Sequence, residues 1–437
     1  MRLIKITLIA IPAILTLNVE AQELLGLPKA IEIALQNNYS IKIARNEALI
    51  AQKNNNLGNA GFLPDVGANF SQLENINDTR QQFFNGEVRA GDNVRTSNVN
   101  ANVQLNWTLF DGFNMFATRD ILEEFEQIGE LNAKIRMDET VSQVIATYYA
   151  IVQKQKQIAA IKNAIEISSE RKRIAEEKLA IGAGSGLAVL QASVDINTDS
   201  SALLRQELDY INTKAIFNEL LSRDPQTPFS VSEIIVMEKV LNFEELSGSI
   251  MKQNPELLIA QRNTSIADLT LKQTRSTIFP AVTVNSGYNY TSFQSQLGLL
   301  QSNLNRGVNY GLTASWNLFS GFTNRTRRQV AQIEIVNREN IQDQIQLRLK
   351  NELFQLYSSY ITLRSLIAIE KSNLRVAQEN LNVSTEKMKL GTITAIELRE
   401  AQRNLIDAEF RLIMAEYEAK LAETELLRLT GQLIKVP

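Results

Sequence analysis

The fold is decided by a stretch that occurs twice in the chain, Asn106-Trp107-Thr108-Leu109-Phe110-Asp111-Gly112-Phe113 and Ser315-Trp316-Asn317-Leu318-Phe319-Ser320-Gly321-Phe322. These two stretches contain both tryptophans of the 437 residues. Each ends a run in which apolar and polar residues alternate, and each precedes a segment without proline, 114–181 and 323–390. The repeated stretch therefore predicts a corner at which a strand ends and a long helix begins.

The chain around these corners is duplicated. The two tryptophans are 209 residues apart, and the same offset relates Gly182 to Gly391 and Ala192 to Ala401. Before the corners the offset is 216, as between Pro64 and Pro280. A fixed offset maintained over more than a hundred residues indicates one unit copied in tandem. We predict a first repeat over residues 22–228 and a second over 229–437.

Composition excludes several functions. The chain has no His and no Cys, so disulfides, thiol nucleophiles, His general bases and the usual zinc sites are absent. Its net charge is −3, with 45 basic and 48 acidic residues, and this balance does not indicate a nucleic-acid surface. No residue spacing supports a Ser–Lys or carboxylate mechanism. We therefore expect neither an enzyme nor a cofactor.

The first 21 residues have the pattern of a secretory signal. Arg2 and Lys5 are followed by the apolar run 6–17 and by the small-residue cleavage pattern Val19-Glu20-Ala21. A membrane anchor is the alternative, but twelve apolar residues are few for a bilayer span. The sequence thus predicts an exported protein.

Each repeat contains two predicted strands, about residues 65–109 in the first and 281–318 in the second. Between 98 and 109 every second residue is apolar, and the intervening ones are Asn, Gln and Thr. Strands of this length, with a polar but uncharged second face, are typical of membrane barrels. A soluble sheet is the alternative. Four strands cannot close a spanning barrel, so a barrel would need several chains. The polar segments 74–97 and 292–305 are predicted loops.

Helices are predicted at about 29–60, 114–222, 254–278 and 323–430, the second and fourth being hairpins that turn at Gly182 and Gly391. Apolar residues recur in sevens, as at Ile367, Leu374, Leu381 and Met388, which is coiled-coil spacing. At about 1.5 Å per residue each long helix is on the order of 100 Å. A coiled-coil rod shares this periodicity, but the strands joined directly to each helix favour a different architecture.

Together these features resemble the TolC-like outer membrane efflux protein family, the outer membrane factors, over essentially the whole mature chain. The resemblance is carried by residues 30–38, by Pro64 and Pro280, by both Trp-x-Leu-Phe-x-Gly-Phe corners, and by the segments that follow the glycine turns, 187–192 and 396–401. It implies an α+β membrane protein with internal duplication. Antiparallel coiled-coil hairpins would form a periplasmic α-barrel, and four strands per chain would contribute to a 12-stranded β-barrel shared by a homotrimer.

The resemblance also implies a function and partners. The protein would be a passive duct in the outer membrane that extends into the periplasm. A periplasmic adaptor (membrane fusion) protein would join it to an inner-membrane RND or ABC transporter, and the system would be an efflux system or a type I secretion system. The segment 230–249 and the chain termini would form a belt around the α-barrel.

The resemblance further implies a periplasmic aperture lined by carboxylates six and nine residues after the second turn's glycine, here Glu397 and Glu400. Three residues apart on a helix, they would form two acidic rings in a trimer, which favour cations. The alternative is that they are ordinary helix-start acids. Some family members hold the aperture closed with a Tyr and an Arg at the positions of Met388 and Ile393, so an apolar or looser closure is expected here. The predicted adaptor contacts are Gly182, Gly184, Gly391, Thr392 and Thr394.

Two other hypotheses fit parts of the sequence. A secreted coiled-coil scaffold or adhesin would use the strands as a soluble cap, and would stay soluble without detergent. A duct for metal efflux would keep the fold, although the absence of His weighs against a metal-handling surface.

Overall fold

The computed structural model describes residues 23–232, 234–235, 237 and 241–434. The predicted signal, residues 1–21, and part of the predicted belt lie outside the described residues. In chain order the elements are β1 (Glu23–Leu24), α1 (Leu27–Asn37), α2 (Tyr39–Asn54), β2 (Asp65–Gln82), β3 (Val88–Phe110), α3 (Asn114–Ala180), α4 (Gly186–Leu220), β4 (Phe229–Ser230), α5 (Phe243–Gln253), α6 (Pro255–Ser276), β5 (Ala281–Ser295), β6 (Ser302–Ser315), α7 (Thr323–Lys389) and α8 (Ala395–Leu429).

The element order confirms the predicted duplication. Helices α3 and α7 each have 67 residues, and α4 and α8 each have 35, with both pairs related by the 209-residue offset. The chain divides into two compact units. Of the described residues, the first comprises those within 23–36, 143–237 and 363–421, and the second those within 37–142, 241–362 and 422–434.

In the second unit β2, β3, β5 and β6 form one antiparallel sheet in that order. The register places alternate residues of all four strands on common faces. Val103 pairs with Ala68 and with Tyr288, whereas Asn102 pairs with Asn69 and with Asn289. One face is therefore rich in apolar residues and the other in amides. Asn69 donates to Asn102 at 3.1 Å and Asn289 donates to Asn309 at 2.6 Å, so the polar face carries cross-strand hydrogen bonds.

The duplicated corner has the same construction in both copies. The indole Nε1 of Trp107 donates to the carbonyl of Phe62, and that of Trp316 donates to the carbonyl of Ile278, both at 2.9 Å. Each acceptor lies two residues before a proline. In each repeat the tryptophan thus joins the end of the second strand to the residues just before the first strand.

Gly112 and the residue after it have positive φ angles, 73° and 72°, as do Gly321 and Phe322 at 60° and 64°. A Cβ at Gly112 would come within 2.3 Å of the Ser276 carbonyl oxygen. The conformation and the close approach together explain why glycine occupies this position.

The predicted loop 74–97 is wrong for most of its length, because β2 and β3 pair as far as Gln82 and Val88. Most of its residues are polar on both faces, so the regular alternation that indicates a strand is missing there. Likewise the second predicted loop is only 296–301, and β6 ends at Ser315 rather than near 318.

The first predicted helix is also divided. Asn38 separates α1 from α2, and its side chain accepts hydrogen bonds from the backbone N–H groups of Ser40 and Ile41. Helix α2 then ends at Asn54 rather than near residue 60. Asn-rich sequence ends a helix because the amide side chains compete for backbone hydrogen bonds. No described helix is long and apolar enough to cross a membrane.

Candidate functional site: the helical turns

Both long helices end in the same backbone motif. Gly182 and Gly391 each have a φ of +74°. After α3 the N–H of Ala183 donates to the carbonyl of Lys178 at 2.8 Å, and after α7 the N–H of Thr392 donates to that of Lys387 at 3.0 Å. These bonds satisfy carbonyls that the helix ends would leave unpaired, as in a Schellman motif.

The return helices begin differently in the two repeats. Ser185 caps α4, its hydroxyl accepting from the N–H of Leu187. At α8 the bonds are reciprocal: Thr394 donates its N–H to Glu397 at 2.7 Å, and Glu397 donates its N–H to the Thr394 hydroxyl at 3.2 Å. This is a capping box. Hydrogen bonds from the Thr394 backbone and hydroxyl lower the pKa of Glu397, so its charge is held at the helix start.

The predicted residues do not all lie together. Gly184 and Glu400 line one cleft of about 470 Å³ in the first unit, formed by the ends of α3 and α7 and the starts of α4 and α8. Gly182, Gly391, Thr392, Thr394 and Glu397 are outside its lining. Gly184 is required because a Cβ there would lie 2.7 Å from the backbone nitrogen of Leu179. The cleft lining is largely apolar, with Leu187 and Met388 among its residues.

Met388 and Ile393, which stand where some family members have Tyr and Arg, pack inside the chain. Met388 is buried in a cluster with Leu381, Leu398, Ala401 and Leu405, against which Ile393 is packed. Lys178 of α3 donates to the Met388 carbonyl at 3.0 Å. An apolar cluster and one lysine therefore hold this turn. This agrees with the expectation that the Tyr and Arg latch of some family members is absent here.

A buried polar network that the sequence did not predict joins α3, α4 and α8, and its residues Arg171, Asp195 and Arg399 also line the cleft. Arg399 of α8 donates from its two terminal nitrogens to both carboxylate oxygens of Asp199 on α4, each at 2.9 Å. Ser168 of α3 donates to Asp199 at 3.0 Å, and Gln402 donates to Ser168 at 2.8 Å. The hydrogen bonds to Asp199 raise the pKa of Arg399. A second ion pair, between Arg171 and Asp195, adjoins the first.

The duplication does not repeat this network, because three of the equivalent positions in the other repeat have apolar residues. Adding 209 to Ser168 and Asp199 gives Ala377 and Ala408, and subtracting 209 from Arg399 gives Leu190. A comparison of the two repeats could have indicated the network, because Ser168, Asp199 and Arg399 are polar where the other repeat has alanine or leucine. Among the described residues no three acidic side chains are grouped as ligands for a metal ion would be.

The fold defines the class of protein. Outer-membrane efflux channels have this architecture, in which four strands with one apolar and one polar face are joined to long duplicated helical hairpins. The family model "Outer membrane efflux protein" matches residues 30–221 and 246–432, and the chain belongs to this family. It is accordingly a channel protein of the outer membrane that extends into the periplasm.

Relatives and solved structures agree with this assignment. The chain is 24% identical over 411 residues to outer membrane efflux protein BepC of Brucella suis biovar 1 (strain 1330), covering 92% of this chain and 84% of BepC. The Campylobacter jejuni CmeC outer membrane channel superposes with a TM-score of 0.77 at 16% identity, covering 93% and 86% of the two chains. The outer membrane protein VceC of Vibrio cholerae gives 0.75 at 16% identity, with 93% and 96% covered.

Proposed function

We propose that three copies of this chain form a passive exit duct of a tripartite efflux system. A periplasmic adaptor protein would connect the duct to an inner-membrane transporter. Family membership supports the efflux role over type I secretion, and the absence of His weighs against metal efflux. The proposal for the assembly depends on surfaces that a single chain leaves uncovered.

The sheet supplies the first such surface. In the described chain β2 and β6 are its two edges, and every residue of β6 is exposed. An open edge is not tolerated in lipid because its N–H and C=O groups have no partners. Pairing β6 of one copy with β2 of the next satisfies both edges. Three copies give twelve strands.

The helices supply the second uncovered surface, which is the main support for the proposed assembly. By the 209-residue offset α4 corresponds to α8, and α3 to α7. Ile413 of α8 is 8% exposed, but its equivalent on α4, Leu204, is 68% exposed. Ala160 of α3 is 6% exposed, but its equivalent on α7, Ile369, is 58% exposed. The faces that meet inside the chain between α3 and α8 thus recur uncovered on α4 and α7.

Both uncovered faces carry stripes of exposed apolar residues at coiled-coil spacing, interrupted by polar residues. They comprise Leu187, Leu190, Val194, Leu204, Leu208 and Ile211 on α4, and Leu366, Ile369, Val376, Val383 and Leu390 on α7. Apolar stripes of this length on an isolated surface mark an interface. Packing α4 of one copy on α7 of the next covers both and repeats the internal arrangement.

The repeat relation also supplies the register for a test. Gln402 contacts Ser168 within the chain. Because 402 − 209 = 193 and 168 + 209 = 377, Ser193 of one copy should face Ala377 of the next. The chain has no Cys, so Ser193→Cys with Ala377→Cys in detergent-extracted protein should yield linked chains with a short bifunctional thiol reagent. The control, Ser193→Cys with Leu366→Cys, is eleven residues out of register, about 16 Å along a helix. Equal linking of the two pairs would overturn the assembly.

The cleft and the aperture residues support the finer parts of the proposal. The cleft has a largely apolar lining, with Lys178, Arg403 and Glu400 among its charged residues. Arg171, Arg399 and Asp195 also line it, but they are already joined in ion pairs. This combination suits the tip of an adaptor's helical hairpin. Glu397 and Glu400 are both exposed at the start of α8. In a trimer they would form acidic rings that favour cationic cargo.

A further inference from the structure

The first β-hairpin extends past its neighbour at the end of the sheet remote from the helices. The last pair between β3 and β5 is Thr96 with Ser295. Beyond it β2 and β3 continue to pair with each other, from Ile76 with Arg95 to Gln82 with Val88. The extension has no strand beside it on the β5 side. The loop 296–301 lies there instead.

The face on which this loop lies follows from the register. Thr96 and Ser295 are on the polar face, since they are an even number of residues from the paired Asn102 and Asn289. Thr79 and Gln81 continue that face past the bulge between Asn77 and Thr79. Thr79, Gln81, Phe83, Thr96, Phe293 and Ser295 line one cleft of about 550 Å³ together with loop residues 297–300. The loop therefore lies over the polar face.

Hydrogen bonds fix the loop in this position. The N–H of Gln296 donates to the Arg95 carbonyl at 3.1 Å, and the N–H of Arg95 donates to the Gln296 side chain at 3.0 Å. The Arg89 guanidinium donates to the Gly298 carbonyl at 2.9 Å and lies over the Phe83 ring. The loop is thus bound to the extended hairpin through two of its backbone groups and the Gln296 side chain.

Two leucines of this loop are exposed, Leu299 at 78% and Leu300 at 61%. In the proposed barrel the apolar face contacts lipid, so the polar face lines the water-filled interior. Apolar side chains that project on that side have no lipid to contact. Their exposure on the wet face, at the mouth, is the observation that calls for a function.

We infer that the loop 296–301 narrows the outer mouth of the duct, with Leu299 and Leu300 of the three copies forming an apolar ring around the axis. This inference depends on the proposed trimer. An apolar constriction disfavours hydrated ions, which lose water contacts on entering it, and admits cargo with apolar surface. The ring would therefore determine which molecules leave the duct.

Cross-linking in the assembled protein tests this. Leu300→Cys, which has one thiol per chain, should give linked dimers with a short bifunctional thiol reagent, because three thiols near one axis have a high effective concentration. The matched control is Ile76→Cys, an exposed residue on the opposite face of the same hairpin extension. We expect about tenfold more linked product from Leu300→Cys. Leu299→Cys is a second variant in case Leu300→Cys does not assemble.

The outcome separates this inference from the trimer itself. Suppose that the Ser193→Cys and Ala377→Cys pair links neighbouring chains, but neither loop variant gives more linked product than Ile76→Cys. The proposed trimer is then supported and the apolar ring is wrong. If the helix pair also fails to link, the assembly is wrong. Linking at Leu299 or Leu300 above the control supports both.

Discussion

Loss of the Arg399 guanidinium should loosen the start of α8 from α4. Arg399→Gln removes the two hydrogen bonds to Asp199 and leaves that carboxylate with the Ser168 hydroxyl as a donor. The side chains of Arg399 and Asp199 are only 16% and 11% exposed, so water replaces the lost donors incompletely.

The magnitude follows from this burial. Removing one partner of a fully buried ion pair costs about 3 to 5 kcal/mol, and the partial exposure here reduces the cost to roughly 2 to 4 kcal/mol. At 1.4 kcal/mol per tenfold change, hydrogen-exchange protection of the first turns of α8 should fall by roughly 30- to 700-fold.

The assay is hydrogen exchange, followed by mass spectrometry on peptides that cover residues 395–405, in the detergent-solubilised protein. Arg403→Gln is the matched control. Arg403 is an exposed arginine that lines the same cleft, and its replacement should leave protection within a few-fold of the parent. Asp199→Asn combined with Arg399→Gln should cost less than the sum of the single changes, because no unpaired charge stays buried.

The network cannot secure α8 in this way if Arg399→Gln and Arg403→Gln exchange at the same rate. A uniform loss of protection over the whole chain would indicate general unfolding instead, and would contradict the local effect.

Three further changes have defined outcomes. Ser222, two residues after the end of α4, has a φ of +53°, and the second repeat has Gly431 at the equivalent position. Ser222→Gly should therefore stabilise the folded state by about 0.5 to 1 kcal/mol and raise the apparent Tm, whereas Ser201→Gly inside α4 should lower it. Burial raises the pKa of Asp138 to about 6, and both of its carboxylate oxygens lack hydrogen-bond partners. Since the folded state binds this proton more tightly than the unfolded state, the free energy of unfolding falls as pH rises from about 4 to 6. Asp138→Asn should therefore be more stable than the parent by about 1 to 3 kcal/mol at pH 7.5 and equally stable near pH 4. A stability difference that does not change with pH over this range would refute the raised pKa of Asp138. Replacing both Glu397 and Glu400 by Gln should weaken block of single-channel current by divalent cations, and unchanged block would remove their proposed role as rings.

Much of the candidate site could be located from the sequence, because it depends on local chemistry. Glycine at the C-terminal end of a helix and Thr-x-x-Glu at the start of the next are patterns within a few residues, so Gly391, Thr394 and Glu397 could be identified directly. The bonds of Arg399 to Asp199 could not, because they join residues 200 positions apart. Met388 and Ile393 likewise could be noted as departures from a polar latch, but their packing with Leu381 is a property of the folded turn.

By itself the sequence determined the duplication, the corners, the strand faces and the helical hairpins, because each depends on periodicity or on residues adjacent in the chain. The tertiary structure alone decided where the hairpin 74–97 pairs, since strands that are polar on both faces show no period. It also decided which stripes stay uncovered. Leu204 and Ile413 are both apolar residues at equivalent positions, and only the packing of α8 on α3 distinguishes the buried one from the exposed one.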